Sequence, residues 1–94
     1  MILSEEEILS KLPTLPGWSF KENQIQKTFL LENFSKTMEL VNEVSLLAEE
    51  LQHHPDINIR FNKVTFTLST HSEKGVTEKD FVVAEGIEQA AQAQ

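Results

Sequence analysis

The longest helical pattern in the chain runs from Asn33 to about His53 and separates two similar groups of shorter elements. Asn33 is a typical N-cap residue, and Pro55 disfavours helical backbone in the residue before it, so a helix ending near His53 is predicted. Its apolar residues form two adjacent rows: Phe34, Met38, Val41 and Ala48, and Leu40, Val44, Leu47 and Leu51. A stripe this wide indicates either a deeply buried helix or one that covers a sheet and also packs against another subunit. The second is favoured because a small domain gains much from such a contact.

A pair of short strands lies on each side of this helix. Residues 18–20 and 25–31 are rich in strand-forming residues and predict a hairpin with a turn at 21–24. Residues 57–61 and 64–69 alternate between apolar and polar side chains and predict a second hairpin, joined by Asn62-Lys63. On this pattern Phe61 belongs to the apolar face of its strand and is expected in the core.

Two capping signatures predict a helix near each end of the chain. Ser4 followed by Glu7 predicts a first helix ending near Leu12, and Thr77 followed by Asp80 predicts a last helix. The complete order is α-β-β-α-β-β-α. It predicts an α+β fold in which one domain, residues 1–94, has a four-stranded antiparallel sheet with three helices on one face.

Composition excludes several classes of function. The chain has no cysteine, which excludes disulfides, thiolate metal sites and a cysteine nucleophile and suits an intracellular protein. A net charge of −7, with only eight Lys and Arg, argues against direct binding of nucleic acid. The chain starts with an acidic run where a secretory signal would be basic, and no apolar run is long enough to cross a bilayer. A soluble, cytoplasmic protein without membrane contact is expected.

The three histidines are the residues best suited to chemistry. His53 and His54 lie together where the long helix ends, and His71 lies at the end of the fourth predicted strand, on its polar side. Imidazole has an unperturbed pKa near ~6.5, so two histidines facing one substrate can serve as acid and base. Glu49 lies one helical turn before His53 and could orient it or bind a substrate N–H group.

Other interpretations of these residues remain open at this point. Glu49 and His53 could be an exposed pair on a helix, and His53-His54-Pro55 could simply end the helix. Asp80 fits a capping role without any function. The three histidines with a carboxylate could bind a metal ion, but none of the usual zinc-ligand spacings is present, and metal binding is therefore disfavoured.

Taken together, the spacing of these residues resembles the active-site pattern of the pterin-4a-carbinolamine dehydratases. The pattern reads Glu49, three residues, His53-His54-Pro55, five residues, Phe61, nine residues, His71, eight residues, Asp80. Residues 62–64, 67–71 and 75–80 are also similar to the family, and the resemblance covers essentially the whole chain. It implies the α+β fold above, dimers that extend the sheet, and often tetramers formed through the long helix.

The resemblance implies dehydration of 4a-hydroxytetrahydropterin to quinonoid dihydropterin, with the pterin as substrate and neither a metal nor another cofactor. It implies that His53 and His71 are the acid–base pair, without assigning the two roles, and that His54 mainly holds the pterin. Glu49 would hydrogen-bond to the pterin or orient a histidine. The remaining substrate-binding positions that the resemblance implies are Gln52, Ser69, Thr70 and Asp80, with the first three lining the pocket largely through backbone groups.

Two positions depart from the family. Gln52 stands where many relatives have aspartate, and Ile57 stands where many have tryptophan. The first weakens a side-chain role, and the second removes an aromatic ring that could shield the pocket. An alternative function is a pterin-binding or transcription-factor dimerisation module with catalysis secondary or lost. The implied partners are a second copy of the chain and, for the enzyme, an aromatic amino acid hydroxylase.

Overall fold

The order of elements in the computed structural model, which describes all residues 1–94, is the predicted one. The helices are α1 (Glu5–Lys11), α2 (Phe34–Leu51) and α3 (Glu78–Gln92), with a short 3-10 turn at Leu12–Thr14 after α1. The strands are β1 (Ser19–Lys21), β2 (Gln24–Leu30), β3 (Asp56–Arg60) and β4 (Lys63–Leu68). This α-β-β-α-β-β-α order confirms the predicted α+β fold.

The four strands form one antiparallel sheet in the order β1-β2-β4-β3, so β3 lies at an edge. Alternation along β4 gives the sheet two different faces. Val64, Phe66 and Leu68 are fully buried, whereas Thr65 and Thr67 between them are partly exposed. The three helices cover the apolar face, as the period-two pattern requires.

The core lies between this face and the helices. Phe29 and Phe66 meet edge-to-face with their ring centroids 5.8 Å apart, and Trp18 packs on Phe29 in the same way. Both predicted capping boxes are present, Ser4 with Glu7 on α1 and Thr77 with Asp80 on α3. The remaining core residues named here lie on the buried sides of α2 and α3: Leu40, Val44, Ala48, Phe81, Val83, Ala84 and Ile87.

Helix α2 ends two residues earlier than predicted. Gln52 adopts a left-handed backbone with φ 51°, and its N–H still donates to carbonyls of the last turn, at Ala48 and Glu49. This is the αL type of helix end, in which a left-handed residue turns the chain out of the helix. The helix therefore ends before the residue whose backbone Pro55 restricts. The three residues from His53 to Pro55 therefore leave the helix as a short extended segment.

The second hairpin also differs from the prediction. Its two-residue turn is Phe61-Asn62, since Arg60 pairs with Lys63, and strand β4 ends at Leu68 rather than continuing to His71. Phe61 has φ 56° and is 70 % exposed, so the expectation that it belongs to the core is wrong. Phe61 fits the apolar–polar alternation of β3 although it lies in the turn. The pattern therefore placed the end of this strand one residue too late.

The wide apolar stripe of α2 is only partly covered. Leu40 and Val44 are fully buried, but Phe34 and Leu51 are 50 % and 39 % exposed. The helix is therefore not deeply buried within one chain, and its contact with another subunit stays a prediction. None of the helices has the length and apolar character required to cross a membrane.

Candidate active site

The sheet topology brings the two histidine-bearing segments together. Because β3 and β4 are antiparallel neighbours with Asp56 opposite Thr67, the residues before Asp56 lie beside the residues after Thr67. A depression of about 340 Å³ lies between these segments at the end of the sheet. Its lining residues are Gln52, His53, His54, Pro55, Asp56, Ser69 and His71. All three histidines of the chain thus share one site.

Local backbone features hold each segment in place. The left-handed Gln52 turns the chain, and the His53 N–H donates to the carbonyl of Ala48 at 3.1 Å. On the other side, Thr70 and Gly75 form an isolated bridge that closes the turn containing His71. His71 therefore lies on a tight turn beyond β4 and not within the strand. It is nevertheless exposed and lines the depression, as expected from its predicted position on the polar side of the sheet.

His53 is anchored to a buried carboxylate. Its Nε2 lies 2.6 Å from Oδ1 of Asp80, and the Asp80 side chain is 0 % exposed. The second carboxylate oxygen accepts from the hydroxyl of Thr70 and from the backbone N–H of Thr77, both at 2.9 Å. Thr77 lies 2.7 Å from Thr70, hydroxyl to hydroxyl, so every polar group behind His53 has a partner.

This arrangement favours one orientation and one tautomer of His53. A carboxylate accepts hydrogen bonds, so the His53 Nε2 facing it carries the proton. The other ring nitrogen, Nδ1, makes no hydrogen bond to the protein. In the neutral ring Nδ1 is therefore an acceptor, and a charge that forms on the ring is stabilised by Asp80.

Glu49 contacts a different histidine from the one expected. Its Oε2 lies 2.5 Å from Nε2 of His54, whereas His53 turns inward to Asp80. The expectation assumed that the helix continues to His53, which would keep the four-residue spacing on one face. Because α2 ends at Leu51 and the left-handed Gln52 turns the chain, that spacing no longer applies. The Glu49–His54 pair is exposed, at 71 % and 55 % of the two side chains.

His71 differs from the other two histidines because its ring has no hydrogen-bond partner in the protein. It is exposed, and Ser69 beside it is partly exposed and lines the same depression. The site thus contains one anchored imidazole, one paired at the surface and one free to contact a ligand. His53, His54 and His71 do not converge with a carboxylate in a group that could hold a metal ion.

The remaining predicted site residues fall into two groups. Gln52 lines the depression, and its side chain donates to the backbone carbonyl of Glu49 at 2.7 Å. Glu49, Thr70 and Asp80 do not line it; Thr70 was expected there, but its side chain is buried behind His53. Sequence reasoning missed Thr77 as part of the support for His53, although its capping signature marked the position.

Comparison with known proteins gives a consistent result. The family described as Pterin 4 alpha carbinolamine dehydratase matches residues 1–90. A protein of Sulfolobus acidocaldarius, provisionally named pterin-4-alpha-carbinolamine dehydratase, is 46 % identical over 87 residues, covering 93 % of this chain and 96 % of that protein. A similarly named protein of Chloroflexus aurantiacus is 47 % identical over 87 residues, covering 93 % and 94 %.

Solved structures agree with the fold. The transcriptional coactivator/pterin dehydratase of Brucella melitensis superposes with a TM-score of 0.94 at 35 % identity, covering 97 % of this chain and 99 % of that one. A pterin dehydratase-like protein described as a RuBisCO assembly factor in the alpha-carboxysome has a TM-score of 0.66 at 23 % identity, covering 79 % and 86 %, and shares the fold alone. By its sequence and its structure, the chain belongs to the pterin 4 alpha carbinolamine dehydratase family.

Proposed function

We propose that this protein dehydrates 4a-hydroxytetrahydropterin to quinonoid dihydropterin by histidine acid–base catalysis without a metal ion. The observation that carries the proposal is the meeting of all three histidines in one depression, with His53 held by a buried carboxylate. Family membership supports the choice of a pterin as substrate.

The reaction requires one proton to be delivered and one to be removed. Hydroxide is a poor leaving group, so an acid protonates the 4a-oxygen while the N5 lone pair forms the C4a–N5 double bond and water departs. A base then takes the proton from N5. The products are quinonoid dihydropterin and water, and the two protein groups together return to their starting protonation when they exchange a proton through solvent.

The different surroundings of the histidines support a division of these roles. His53 has a free Nδ1 and a carboxylate that stabilises its charged form, which suits the base that removes the N5 proton. His71 is exposed and has no partner in the protein, so it can take a proton from water and deliver it to the departing oxygen. His54, paired with Glu49, is proposed to hold the pterin.

The test measures dehydration of chemically prepared 4a-hydroxytetrahydropterin by ultraviolet absorbance, with and without a chelator. Wild type should turn over at the same rate in both. His53→Ala and His71→Ala should each lose about 10²- to 10⁴-fold in kcat, the range that a positioned acid or base contributes. Lys36→Gln, an exposed substitution on α2, serves as the folded control and should keep the wild-type rate.

A second candidate function is a protein-binding module that uses the outer side of α2. The Brucella melitensis protein is named a transcriptional coactivator as well as a pterin dehydratase, and Phe34 and Leu46 leave apolar surface exposed on α2 here. A folded wild type that does not accelerate dehydration over buffer would contradict the enzyme proposal and favour this one.

We propose a homodimer for the enzyme, with an aromatic amino acid hydroxylase as the source of its substrate.

A further inference from the structure

The turn that carries His71 is buried only at its base. Residues 71–74 are all exposed, whereas Thr70 and Gly75, which close the turn, are buried. Two backbone hydrogen bonds join this pair: the Thr70 N–H donates to the Gly75 carbonyl at 2.8 Å, and the Gly75 N–H donates to the Thr70 carbonyl at 3.4 Å. The position of the His71 imidazole therefore depends on where the Thr70–Gly75 pair is held.

The same pair also supports His53. The Thr70 hydroxyl donates to Oδ2 of Asp80 at 2.9 Å, and Oδ1 of that carboxylate lies 2.6 Å from Nε2 of His53. Both histidines that are proposed to transfer protons are thus positioned from one place. His71 depends on the pair through the turn, and His53 depends on it through the Asp80 carboxylate. A shift of the pair would change the geometry between the two imidazoles.

The chain before α1 packs against the Gly75 end of this pair. The Leu3 N–H donates to the Val76 carbonyl at 2.8 Å. The Ile2 side chain lies over Gly75, so a methyl group added to that glycine would overlap it, with Cγ1 only 2.7 Å away. Leu3 packs against the core, which fixes the segment at its other end. We call Ile2 and Leu3 the N-terminal clamp.

The contact with Ile2, and not the backbone conformation, requires glycine at position 75. Gly75 has no positive φ, so alanine could adopt its backbone without strain. Alanine is excluded because Ile2 occupies the space that its methyl group needs. Ile2 itself is 46 % exposed, so its contact with Gly75 buries little area and adds little to the stability of the whole fold. Its effect therefore falls mainly on the position of the Thr70–Gly75 pair.

We propose that Ile2 and Leu3 are positioning residues for the dehydration: the clamp holds the Thr70–Gly75 pair, and the pair sets where His71 lies relative to His53. This inference rests on the proposed acid–base roles of the two histidines. Neither clamp residue lines the depression, so neither contacts the pterin. The clamp acts on the proton transfers, because a misplacement of about 1 Å in a reacting group can cost as much as 10²-fold in rate.

The hold on the turn can be tested without any activity measurement. In Ile2→Ala the amides of Thr70 and Gly75 should exchange with deuterium about tenfold faster than in wild type, because the base of the turn opens locally. Amides within the central strand β4 should keep the wild-type rate. Leu9→Ala is the matched control, since Leu9 is a similarly exposed aliphatic residue of α1, at 52 %. If Ile2→Ala and Leu9→Ala give the same exchange at Thr70 and Gly75, the clamp does not hold the turn and the inference is wrong.

The kinetic test separates turnover from binding. Ile2→Ala should lower kcat about tenfold and leave KM nearly unchanged, because the histidines lose their relative geometry while the groups that hold the pterin remain. Ile2→Leu, which keeps the apolar volume, should restore kcat to within about twofold of wild type. Leu9→Ala should keep the wild-type kcat. An Ile2→Ala enzyme with wild-type kcat would overturn the positioning role.

A double-mutant cycle assigns the effect to the contact with Gly75. Gly75→Ala displaces the half-exposed Ile2 side chain and should also lower kcat about tenfold. In Ile2→Ala the same methyl group has room, so the double variant should be no slower than Ile2→Ala alone. Gly86→Ala, which crowds Leu47 between α2 and α3, is the matched glycine control and should keep the wild-type kcat. A double variant slowed about 100-fold, as independent effects would give, would contradict the Ile2–Gly75 contact as the cause.

The outcomes separate this inference from the proposed function. If wild type does not dehydrate the pterin but Ile2→Ala speeds exchange at Thr70 and Gly75, the proposed function is wrong and the catalytic role of the clamp falls with it, while its hold on the turn stands. If wild type is active and exchange is faster in Ile2→Ala, but kcat is unchanged, the proposed function stands and the positioning role is overturned.

Discussion

The Nε2 atom of His53 lies 2.6 Å from Oδ1 of Asp80, although the two residues are 27 positions apart in the chain. The same carboxylate completes the capping box of α3, where it accepts from the N–H of Thr77. One buried side chain therefore both starts a helix and orients an imidazole. The first turn of α3 and the geometry of the depression are coupled through it.

Replacing Asp80 with asparagine should reduce catalysis more than binding. The amide can still accept the Thr77 N–H, but it does not stabilise a charged His53 and can favour the wrong tautomer. We expect kcat to fall by about 10²-fold or more, with KM changed much less. Steady-state kinetics that separate kcat from KM test this. Thr70→Val, which removes one donor and leaves the carboxylate, should lower kcat far less; equal losses would contradict the orienting role of Asp80.

Removing the charge of Glu49 should leave the stability of the fold nearly unchanged. Its pair with His54 is solvent-exposed, and exposed ion pairs contribute at most about 0.5–1 kcal/mol. Glu49→Gln should therefore shift the free energy of unfolding in urea by less than about 1 kcal/mol. If His54 holds the pterin, the variant should raise KM while kcat stays near wild type. A large loss of kcat instead would place Glu49 in the proton transfers.

Glu88 should matter for stability because it joins three parts of the chain away from the histidines. Its Oε1 accepts from Trp18 Nε1 at 2.8 Å and from Lys27 Nζ at 2.5 Å, and Lys27 also donates to the carbonyl of Pro16. The Lys27 and Glu88 side chains are only 20 % and 17 % exposed. Glu88→Gln should lower the free energy of unfolding by about 1–3 kcal/mol, as for a lost hydrogen bond to a charged group.

The matched control for Glu88 is an ion pair in solvent. Lys36→Gln breaks an exposed contact with Glu39 at 3.6 Å and should cost less than about 0.5 kcal/mol. Equal effects of the two substitutions in urea unfolding would show that the Glu88 network does not stabilise the fold.

Gly86 allows α2 and α3 to approach closely. A methyl group at Gly86 would lie 2.4 Å from Cδ2 of Leu47, closer than real carbon contacts allow. Alanine gains up to about 1 kcal/mol of helix propensity over glycine, but crowding in a packed interface costs about 1–3 kcal/mol. The helix-propensity gain of Gly86→Ala should therefore be reduced or reversed by the cost of moving the Leu47 side chain. In Leu47→Ala the same change should be stabilising, and a double-mutant cycle by urea unfolding measures the difference; additive effects would contradict the contact.

The first helix should contribute a pH-dependent increment of stability. The Ser4 backbone N–H, which donates to Glu7 Oε1 at 2.9 Å, holds the pKa of Glu7 below its ordinary value of 4.5, and the Ser4 hydroxyl and Lys11 act in the same direction. A lowered pKa means that the stabilisation is complete above the unfolded-state pKa and is lost as pH falls through the folded-state pKa.

Glu7→Gln tests this contribution. The amide can accept the same hydrogen bond but does not titrate, so the variant should be less stable than wild type near pH 6. The difference in the free energy of unfolding should shrink as pH falls below 4.5. A difference that is independent of pH would contradict the origin assigned to it.

Local sequence signals predicted most of the elements correctly, because each element is specified by neighbours within a few residues. Ser4 with Glu7 and Thr77 with Asp80 mark helix starts through side chains that cap the adjacent backbone. Alternation along β4 identifies its buried face. The element order then leaves an antiparallel sheet covered by helices as the natural solution.

The errors arose where two local conformations compete. Left-handed backbone at Gln52 and at Phe61 ended α2 and β3 earlier than their patterns suggested. Neither residue is glycine, so composition gave no sign of a positive φ. These two positions changed the partner of Glu49 from His53 to His54 and moved Phe61 from the core to the surface.

The sequence by itself determined the fold class, the helix caps and the small set of residues able to transfer protons. Only the tertiary structure decided how those residues divide: His53 anchored on Asp80, His54 paired at the surface, and His71 free. The physical reason is that hydrogen bonds between distant segments depend on where each chain reversal falls. A shift of one residue at a helix end redirects every side chain that follows it.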